Sequence, residues 1–221
     1  MVRSKTLANY DGLMHGFGSL NETLSLMLGT ENSLPIYKAE QTHSSVVKHV
    51  RSDHKNYRDC DALISRRPGF VTIKTADCIP IIIYDPIRKV VAAVHAGWKG
   101  LFSGVIINTL NKLKDRGSRI KDLRIVSGPH IQVCCYAVSE KRVRLFANKG
   151  YPSSSIAKRI NGTLYLNLNA LMYYQMEKTG IKKAQIDSLD ICTCCDNHYH
   201  SYRRDGKNAG RNYTFIGRTI I

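Results

Sequence analysis

Three side chains that could bind a metal or act in nucleophilic catalysis stand at or beside strand-like segments. Cys78 lies between "VTIKTA" and "IPIIIYD", and His95 lies near the end of "KVVAAVHA", just before Gly97 and a helical segment. His43 stands in the polar segment "AEQTHSSVV". Two imidazoles and one thiolate suit Zn²⁺ or copper and leave a fourth position for water or substrate. A thiolate nucleophile paired with a histidine is the alternative.

Each of these residues also has an ordinary structural interpretation. Cysteine is among the most buried residue types, and a histidine at a strand end is commonly a hydrogen-bonded structural group. His43 in a polar loop could be a plain surface residue. Sequence spacing alone therefore leaves the metal site, the nucleophile and the structural role open.

The segments around these residues predict an α+β fold, with mixed β-sheets flanked by helices. Strands are predicted at "VTIKTA", "IPIIIYD", "KVVAAVHA", "LRIVSG" and "SLDICT", each short, rich in β-branched residues and bounded by turn residues. One helix is predicted from Trp98 to Arg116, stopped by Gly117, and another over residues 168–180, capped by Asn167 or Asn169. Strict alternation of strands and helices is absent, which favours α+β over α/β.

Length and composition predict one domain spanning residues 1–221. No repeat or linker divides the chain. No apolar run approaches the roughly 20 residues of a membrane span, and the N-terminal segment has no signal-peptide core, so we predict a cytoplasmic protein with no membrane partner. The formal charge of +16 could serve a nucleic-acid surface, but it is spread along the chain, and a small anionic ligand explains it equally; we do not predict nucleic acid as a partner. The oligomeric state is left open, with a monomer as one possibility.

The seven cysteines indicate reduced thiols, because an odd number cannot all pair within the chain. The sequence lacks the two paired C-x2-C knuckles of a zinc ribbon and has only the C-x-C-C of Cys192, Cys194 and Cys195. We therefore do not predict a structural cysteine cluster.

A series of motifs resembles the multicopper polyphenol oxidoreductase (laccase) family, which is also grouped as purine nucleoside phosphorylases and peptidoglycan editing factors. In chain order they are "QTHSSVV", "DCDALIS", "TIKTADCIPIIIYDP", "AAVHAGWKG", "SGPHIQVCCYAV" and "SYRRDGKNAGRNYTFIG". The resemblance implies a single α+β domain and a zinc site made by His43, Cys78 and His95, which would also be the catalytic residues. Copper has been assigned in the family as well.

The activities implied by the resemblance are phosphorolysis of adenosine, inosine, guanosine and methylthioadenosine, and deamination of adenosine. A purine nucleoside and phosphate are then the expected partners. Guanidinium groups bind phosphate bidentately, so Arg203, Arg204 and Arg211 are predicted to hold it, although surface charge or a pair with Asp205 explains them equally. Asp77, beside Cys78, is the nearest carboxylate for proton transfer or for bracing the turn.

Two further side chains, Gln41 and Tyr202, are predicted from their positions to meet the base or the ribose. The chain departs from the family pattern at Ala137, where a glutamate is usual, and lacks the arginine that commonly follows the "GFS/T" stretch. Three alternatives remain: a copper-dependent polyphenol oxidase, a Cys/His hydrolase acting in peptidoglycan editing, and a basic binding protein with a degenerate site.

Overall fold

A computed structural model describes residues 1–29, 31–51 and 54–219 of the chain. The strands are β1 (Leu13–Phe17), β2 (Ile36–Ala39), β3 (Val47–His49), β4 (Asn56–Tyr57), β5 (Ala62–Ser65), β6 (Gly69–Thr75), β7 (Ile79–Asp85), β8 (Val90–Ala96), β9 (Arg124–Ser127), β10 (Ala157–Ile160), β11 (Thr163–Leu166), β12 (Ile186–Ser188) and β13 (Asn212–Arg218).

The helices are mostly short. They are α1 (Lys5–Ala8), α2 (Leu24–Leu28), α3 (Trp98–Ser103), α4 (Val105–Asp115), α5 (Glu140–Ala147), α6 (Ser153–Ile156), α7 (Leu168–Lys178) and α8 (Tyr202–Asp205), with 3-10 turns at Ile120–Asp122, Lys183–Gln185 and Gly206–Asn208.

Two mixed sheets form the centre of the molecule. The larger has the strand order β12-β9-β7-β8-β5-β3, and the smaller has the order β1-β13-β6-β2-β4. Each contains parallel and antiparallel pairs, for example parallel β3–β5 and antiparallel β7–β8 in the larger sheet. A separate hairpin joins β10 and β11. The predicted α+β fold with mixed sheets flanked by helices is confirmed.

The larger sheet is buried on both faces, which explains why β7 and β8 are apolar along most of their length. Side chains alternate across a strand, so neighbouring residues enter different cores. Ile81 and Ile83 pack with the apolar faces of α3, α4 and α7, whereas Ile82 and Tyr84 pack toward residues of the smaller sheet such as Ile73. Burial on both sides fixes the register of the β7–β8 hairpin, because a slip of one residue would exchange the two faces.

Four of the five predicted strands are confirmed, with shifts of a residue or two at their ends: β6, β7, β8 and β9. The strand predicted at "SLDICT" is wrong in its position, because β12 ends at Ser188. Beyond Ser188 the backbone leaves β9: the amide of Leu189 still donates to Ser127, and the next segment turns toward His130.

The helix predicted from Trp98 to Arg116 is two helices. Gly104 takes a left-handed conformation (φ +83°), ends α3 and precedes α4, so the helical ladder is interrupted there. The stop at Gly117 is confirmed, since its φ of +86° ends the helical path after Asp115. The N-cap of α7 is Asn167, whose side chain accepts a hydrogen bond from the amide of Ala170. Among the described residues, no helix has the length and apolarity needed to cross a membrane.

Candidate metal centre

His43, Cys78 and His95, the three residues that the resemblance implies, meet at one end of the β7–β8 hairpin. Their nitrogen and sulfur atoms all lie within 4.8 Å of one another. Cys78 stands in the connection between β6 and β7, and the pairing of β7 with β8 aligns Pro80 with His95, which brings the imidazole beside the thiol. The two histidine rings approach edge to face, with centroids 4.8 Å apart. His95 is buried and His43 is exposed, so the cluster opens toward solvent on the His43 side.

Gly97 makes this convergence possible. It precedes α3 as the N-cap residue, directly behind the cluster. A Cβ atom at this position would lie 2.7 Å from the Cys78 Sγ and 3.3 Å from the His43 Cδ2. Because the first distance is far below van der Waals contact, a side chain at position 97 would displace the thiol.

Asp61, which sequence reasoning did not single out, organises the cluster from behind. Its carboxylate is fully buried and accepts hydrogen bonds from the amides of Thr42, His43 and Ser44, at 3.3, 3.0 and 2.6 Å. The Ser44 hydroxyl also donates to it, at 2.7 Å. Three consecutive amides aimed at one carboxylate form an anion-binding loop, which offsets the cost of the left-handed backbone at His43 (φ +61°).

The same carboxylate fixes the ring of His95. The Nδ1 of His95 lies 2.7 Å from Asp61 Oδ1, with both side chains buried. A buried carboxylate in this position keeps a proton on Nδ1, so Nε2, on the Cys78 side of the ring, is the nitrogen left to bind a metal. A hint of this role was present in the sequence, because Asp61 immediately precedes a buried apolar strand within "DCDALIS".

The electrostatics of the cluster favour charge separation when no metal is bound. Burial by itself would raise the pKa of Cys78, but the charge of His95 and hydrogen bonds from His43 and His95 lower that pKa to about 6. Burial would lower the pKa of His95, yet the Cys78 charge and the Asp61 hydrogen bond raise that pKa to about 9. Burial also opposes ionisation of Asp61, but its hydrogen bonds with His95 and Ser44 lower the pKa to about 2. A thiolate beside an imidazolium, backed by a carboxylate, is therefore the metal-free state near neutral pH.

Asp77 braces the turn that carries Cys78. Its backbone is left-handed (φ +86°), and its carboxylate accepts hydrogen bonds from the Thr193 hydroxyl at 2.7 Å and from the Arg203 amide at 2.6 Å. The carbonyl oxygen of Asp77 accepts from the amide of Ile131 at 3.0 Å. The turn is thus tied to two other loops, and both carboxylate oxygens of Asp77 are engaged in those ties.

The guanidinium group of Arg203 also contacts a neighbouring loop. It donates to the carbonyl oxygens of Cys135 and Ala137, at 2.9 and 3.1 Å, and its centre lies 5.1 Å from the ring centroid of Tyr136. The charge of Cys78 contributes to the raised pKa of Tyr136, although burial of Tyr136 is the larger cause. Arg203 and Tyr136 therefore stand near the cluster and hold its surroundings in place.

Arg204 and Arg211 are engaged by main-chain carbonyl groups. Arg204 pairs with Asp205 at 2.8 Å, and its two terminal nitrogens also donate to a ring of carbonyl oxygens. Those oxygens belong to Thr193, Cys194, Asp196 and Tyr199. Arg211 donates to the carbonyl oxygens of Ala209 and Gly210, both at 2.8 Å. These contacts are those of residues that stabilise loops.

Gln41 lies on the wall of a cleft of about 700 Å³ whose lining also includes Thr42, the residue before His43. Its side-chain amide pairs with the backbone of Lys74 in β6 in both directions, at 2.7 and 2.9 Å. Lys38 lies on the same wall. Tyr202, at the start of α8, is 55% exposed and is absent from the lining of this cleft. The structure thus places Gln41 and Tyr202 in different surroundings.

The donor set fits the metal that the resemblance implies. One thiolate sulfur and two imidazole nitrogens are ordinary zinc ligands, and the carboxylate behind His95 is the outer partner that zinc-bound histidines usually have. The same three atoms would also accept copper, so the donors indicate a metal site without selecting the metal.

The fold and this cluster together define an α+β protein with a His/Cys/His donor set at the start of a helix. The chain belongs to the multi-copper polyphenol oxidoreductase laccase family, whose sequence model matches residues 21–219. The resemblance seen in the motifs is therefore confirmed over most of the chain.

The names of similar proteins indicate two kinds of activity. A purine nucleoside phosphorylase of Clostridium acetobutylicum is 38% identical over 182 residues, which cover 80% of this chain and 74% of the relative. A protein named adenosine deaminase RL5, from an unknown prokaryotic organism, is 27% identical over 209 residues, covering 89% and 79%. Among solved structures, the hypothetical protein YfiH of Bacillus licheniformis superposes with a TM-score of 0.82 at 26% identity, covering 96% and 94% of the two chains.

Proposed function

We propose that this protein is a zinc-dependent purine nucleoside phosphorylase that also deaminates adenosine. The observation that carries the proposal is the convergence of His43, Cys78 and His95 around the buried Asp61, in a chain of a family whose relatives are named for these activities.

His43, Cys78 and His95 would hold the Zn²⁺. When bound, the cation would supply Lewis-acid polarisation and a water of lowered pKa. The residues of the chain prepare the site for it. Asp61 keeps the proton of His95 on Nδ1, and its contacts with the amides of residues 42–44 hold His43 in the conformation that faces the other two donors.

The cleft lined in part by Thr42, the residue before His43, is the proposed nucleoside site. Its volume of about 700 Å³ lies within the range of small-molecule sites, and its wall combines apolar and polar groups. Lys38 and Lys74 line the cleft together with Glu40 and Asp59, and the two ammonium groups are its cationic partners for an anion such as phosphate.

Phosphorolysis joins a phosphate oxygen to the anomeric carbon of the ribose while the bond from that carbon to the purine nitrogen breaks. The purine leaves with the bonding electrons and takes up one proton, and the products are ribose 1-phosphate and the free base. The protein must therefore hold phosphate and nucleoside side by side. We assign phosphate binding to Lys38 and Lys74 ahead of Arg204, because the guanidinium of Arg204 is already surrounded by carbonyl oxygens and Asp205.

Deamination is the second activity proposed for the same site. Water adds to the purine carbon that carries the amino group, ammonia leaves, and adenosine becomes inosine. The relative named adenosine deaminase RL5 supports this assignment, as does a donor set that leaves a position for water.

The test is a product assay on protein whose metal content has been measured. Adenosine is incubated with and without phosphate, and adenine, ribose 1-phosphate and inosine are separated by chromatography. We expect adenine only with phosphate and inosine under both conditions. Cys78→Ala should abolish both products, whereas Cys194→Ala, a half-buried cysteine outside the donor set, should leave them unchanged.

Other outcomes would point to the alternative functions. Full turnover by Cys78→Ala would refute the proposed site. Oxygen consumption with a phenol that is lost on copper removal would favour the polyphenol oxidase. Activity on amide bonds in metal-free protein, blocked by alkylation of Cys78, would favour the Cys/His hydrolase.

A further inference from the structure

We propose that this protein has a second metal site, a zinc centre with four thiolate ligands formed by Cys134, Cys135, Cys192 and Cys195. The four sulfur atoms lie within 4.8 Å of one another, on the surface of the molecule and separate from the His/Cys/His donor set. The inference does not depend on the proposed phosphorylase activity.

The spacing of the sulfur atoms matches zinc ligation. In a tetrahedral zinc site with bonds of about 2.3 Å, the sulfur atoms lie about 3.8 Å apart. Here the Cys134 Sγ lies 3.7, 3.6 and 3.6 Å from the sulfurs of Cys135, Cys192 and Cys195, and Cys135 and Cys195 are 3.2 Å apart. A disulfide requires about 2.05 Å, so these distances are those of four converging ligands rather than of two bonded pairs.

Two loops supply the ligands, and the backbone holds the loops together without the metal. Cys134 and Cys135 lie in residues 129–138, and Cys192 and Cys195 lie in residues 189–201. His130 pairs with Cys192 in a parallel bridge between the two loops. The His130 amide donates to the carbonyl oxygen of Ile191, and the Thr193 amide donates to the carbonyl oxygen of His130, both at 3.1 Å. A site assembled in advance binds a metal without a large cost in chain ordering.

The expectation that the chain has no structural cysteine cluster is wrong on this geometry. Cys192 and Cys195 are themselves a C-x2-C knuckle, because two residues stand between them. The second half of the site is the adjacent pair Cys134 and Cys135 in place of another knuckle. Only the pairing of the two loops in the fold brings the halves together.

The surroundings of the cluster suit its charge. Four thiols would release four protons to solvent as Zn²⁺ binds, which leaves a centre with a formal charge of −2. Arg203 donates to the carbonyl oxygen of Cys135, and Arg204 donates to that of Cys194, so two guanidinium groups lie on the loops that carry the ligands. The amide of Gln132 points at the Cys192 Sγ at 3.4 Å, as amides do around zinc-bound thiolates.

The proposed centre would stiffen one wall of the His/Cys/His site. Thr193, between two of the ligands, donates its hydroxyl proton to Asp77 in the turn before Cys78. The Arg203 amide donates to the other oxygen of the same carboxylate. A cross-link between the loops therefore restrains the turn that positions Cys78.

The test counts metal and identifies its ligands, so it needs no turnover. The full chain is purified under reducing conditions without chelator, and its zinc content is measured by inductively coupled plasma mass spectrometry. We expect two zinc ions per wild-type chain, one in Cys78→Ala, one in Cys195→Ser and none in the double variant. X-ray absorption of Cys78→Ala should show only sulfur neighbours, four of them, at about 2.3 Å.

Cys194→Ser is the matched control, because Cys194 adjoins Cys195 in the same loop but is not one of the four converging sulfurs. It should keep both zinc ions. The proposal is overturned if Cys78→Ala holds no zinc, if its zinc has nitrogen or oxygen neighbours, or if peptide mapping without reductant finds these cysteines in disulfides. A folded Cys78→Ala with a four-sulfur zinc site but a wild type inactive on nucleosides would refute the proposed function alone.

Discussion

Replacing Asp61 by asparagine tests the central claim about the metal centre, that one buried carboxylate sets the proton position of His95. Asn has the same shape as Asp but one acceptor oxygen and one donor group. If its oxygen keeps the contacts of Oδ2 with Thr42 and Ser44, its amino group faces the amide of His43 and the Nδ1 of His95. The side-chain N–H of the asparagine then faces the backbone N–H of His43, and neither can accept. The His95 ring must accept a hydrogen bond at Nδ1 instead of donating one.

The magnitude follows from these contacts. The His43 amide, which donates to the buried Asp61, would lose its acceptor at a cost of about 1–3 kcal/mol, and the charge-assisted bond to His95 is worth about 1.5–3 kcal/mol, part of which a neutral bond recovers. We therefore expect Asp61→Asn to lower the free energy of unfolding by about 2–4 kcal/mol. Moving the proton of His95 to Nε2 removes the lone pair that a metal needs, so zinc affinity should fall about 10–100-fold.

The assays are urea unfolding of the metal-free protein and a zinc competition titration. Asp115→Asn, an exposed carboxylate near the end of α4, is the matched control and should change neither quantity appreciably. Wild-type zinc affinity in a folded Asp61→Asn variant would refute the claim that this carboxylate sets the ligand form of His95. Loss of stability with unchanged affinity would leave Asp61 a role in folding only.

Four further predictions test the centre and its surroundings. Gly97→Ala should keep the fold but weaken zinc binding at least tenfold, because the new Cβ would lie 2.7 Å from the Cys78 Sγ; affinity equal to wild type would contradict this. In metal-free protein, alkylation of Cys78 should rise through pH 6, since its thiol pKa is lowered to about 6, whereas Cys60, with its pKa raised to about 11, should stay unreactive at neutral pH. The lowered pKa of Cys78 contributes stability that is lost as pH falls from 9 to 6, whereas the raised pKa of His95 contributes stability that is lost as pH rises from 6.5 to 9; these two contributions nearly cancel, so the metal-free melting temperature should change little between pH 6.5 and 9. Arg204→Lys should lower the melting temperature by several degrees, because one ammonium group cannot replace a guanidinium that reaches Asp205 and several carbonyl oxygens.

The sequence predicted the parts of this protein that local pattern determines. The apolar runs around Cys78 and His95 are long enough to identify β6, β7 and β8, and the adjacency of those strands explains why the two side chains could be expected to meet. The split of one predicted helix at Gly104 was missed because its apolar spacing continues across the glycine. The spacing of apolar residues predicts which face of a helix is buried, but it does not predict where the backbone bends.

Asp61 and the four converging cysteines were missed for a different reason, which also explains how the two centres are related. Each owes its role to partners that are distant in the chain: Asp61 to the amide of His43 and the ring of His95, and the cysteines to the pairing of two loops. Asp77 joins these arrangements, because it follows β6, immediately precedes Cys78 and accepts hydrogen bonds from the loop between Cys192 and Cys195. A change in that loop therefore has a direct structural route to Cys78, and the thiolate of the first centre should respond to whether the second centre is filled.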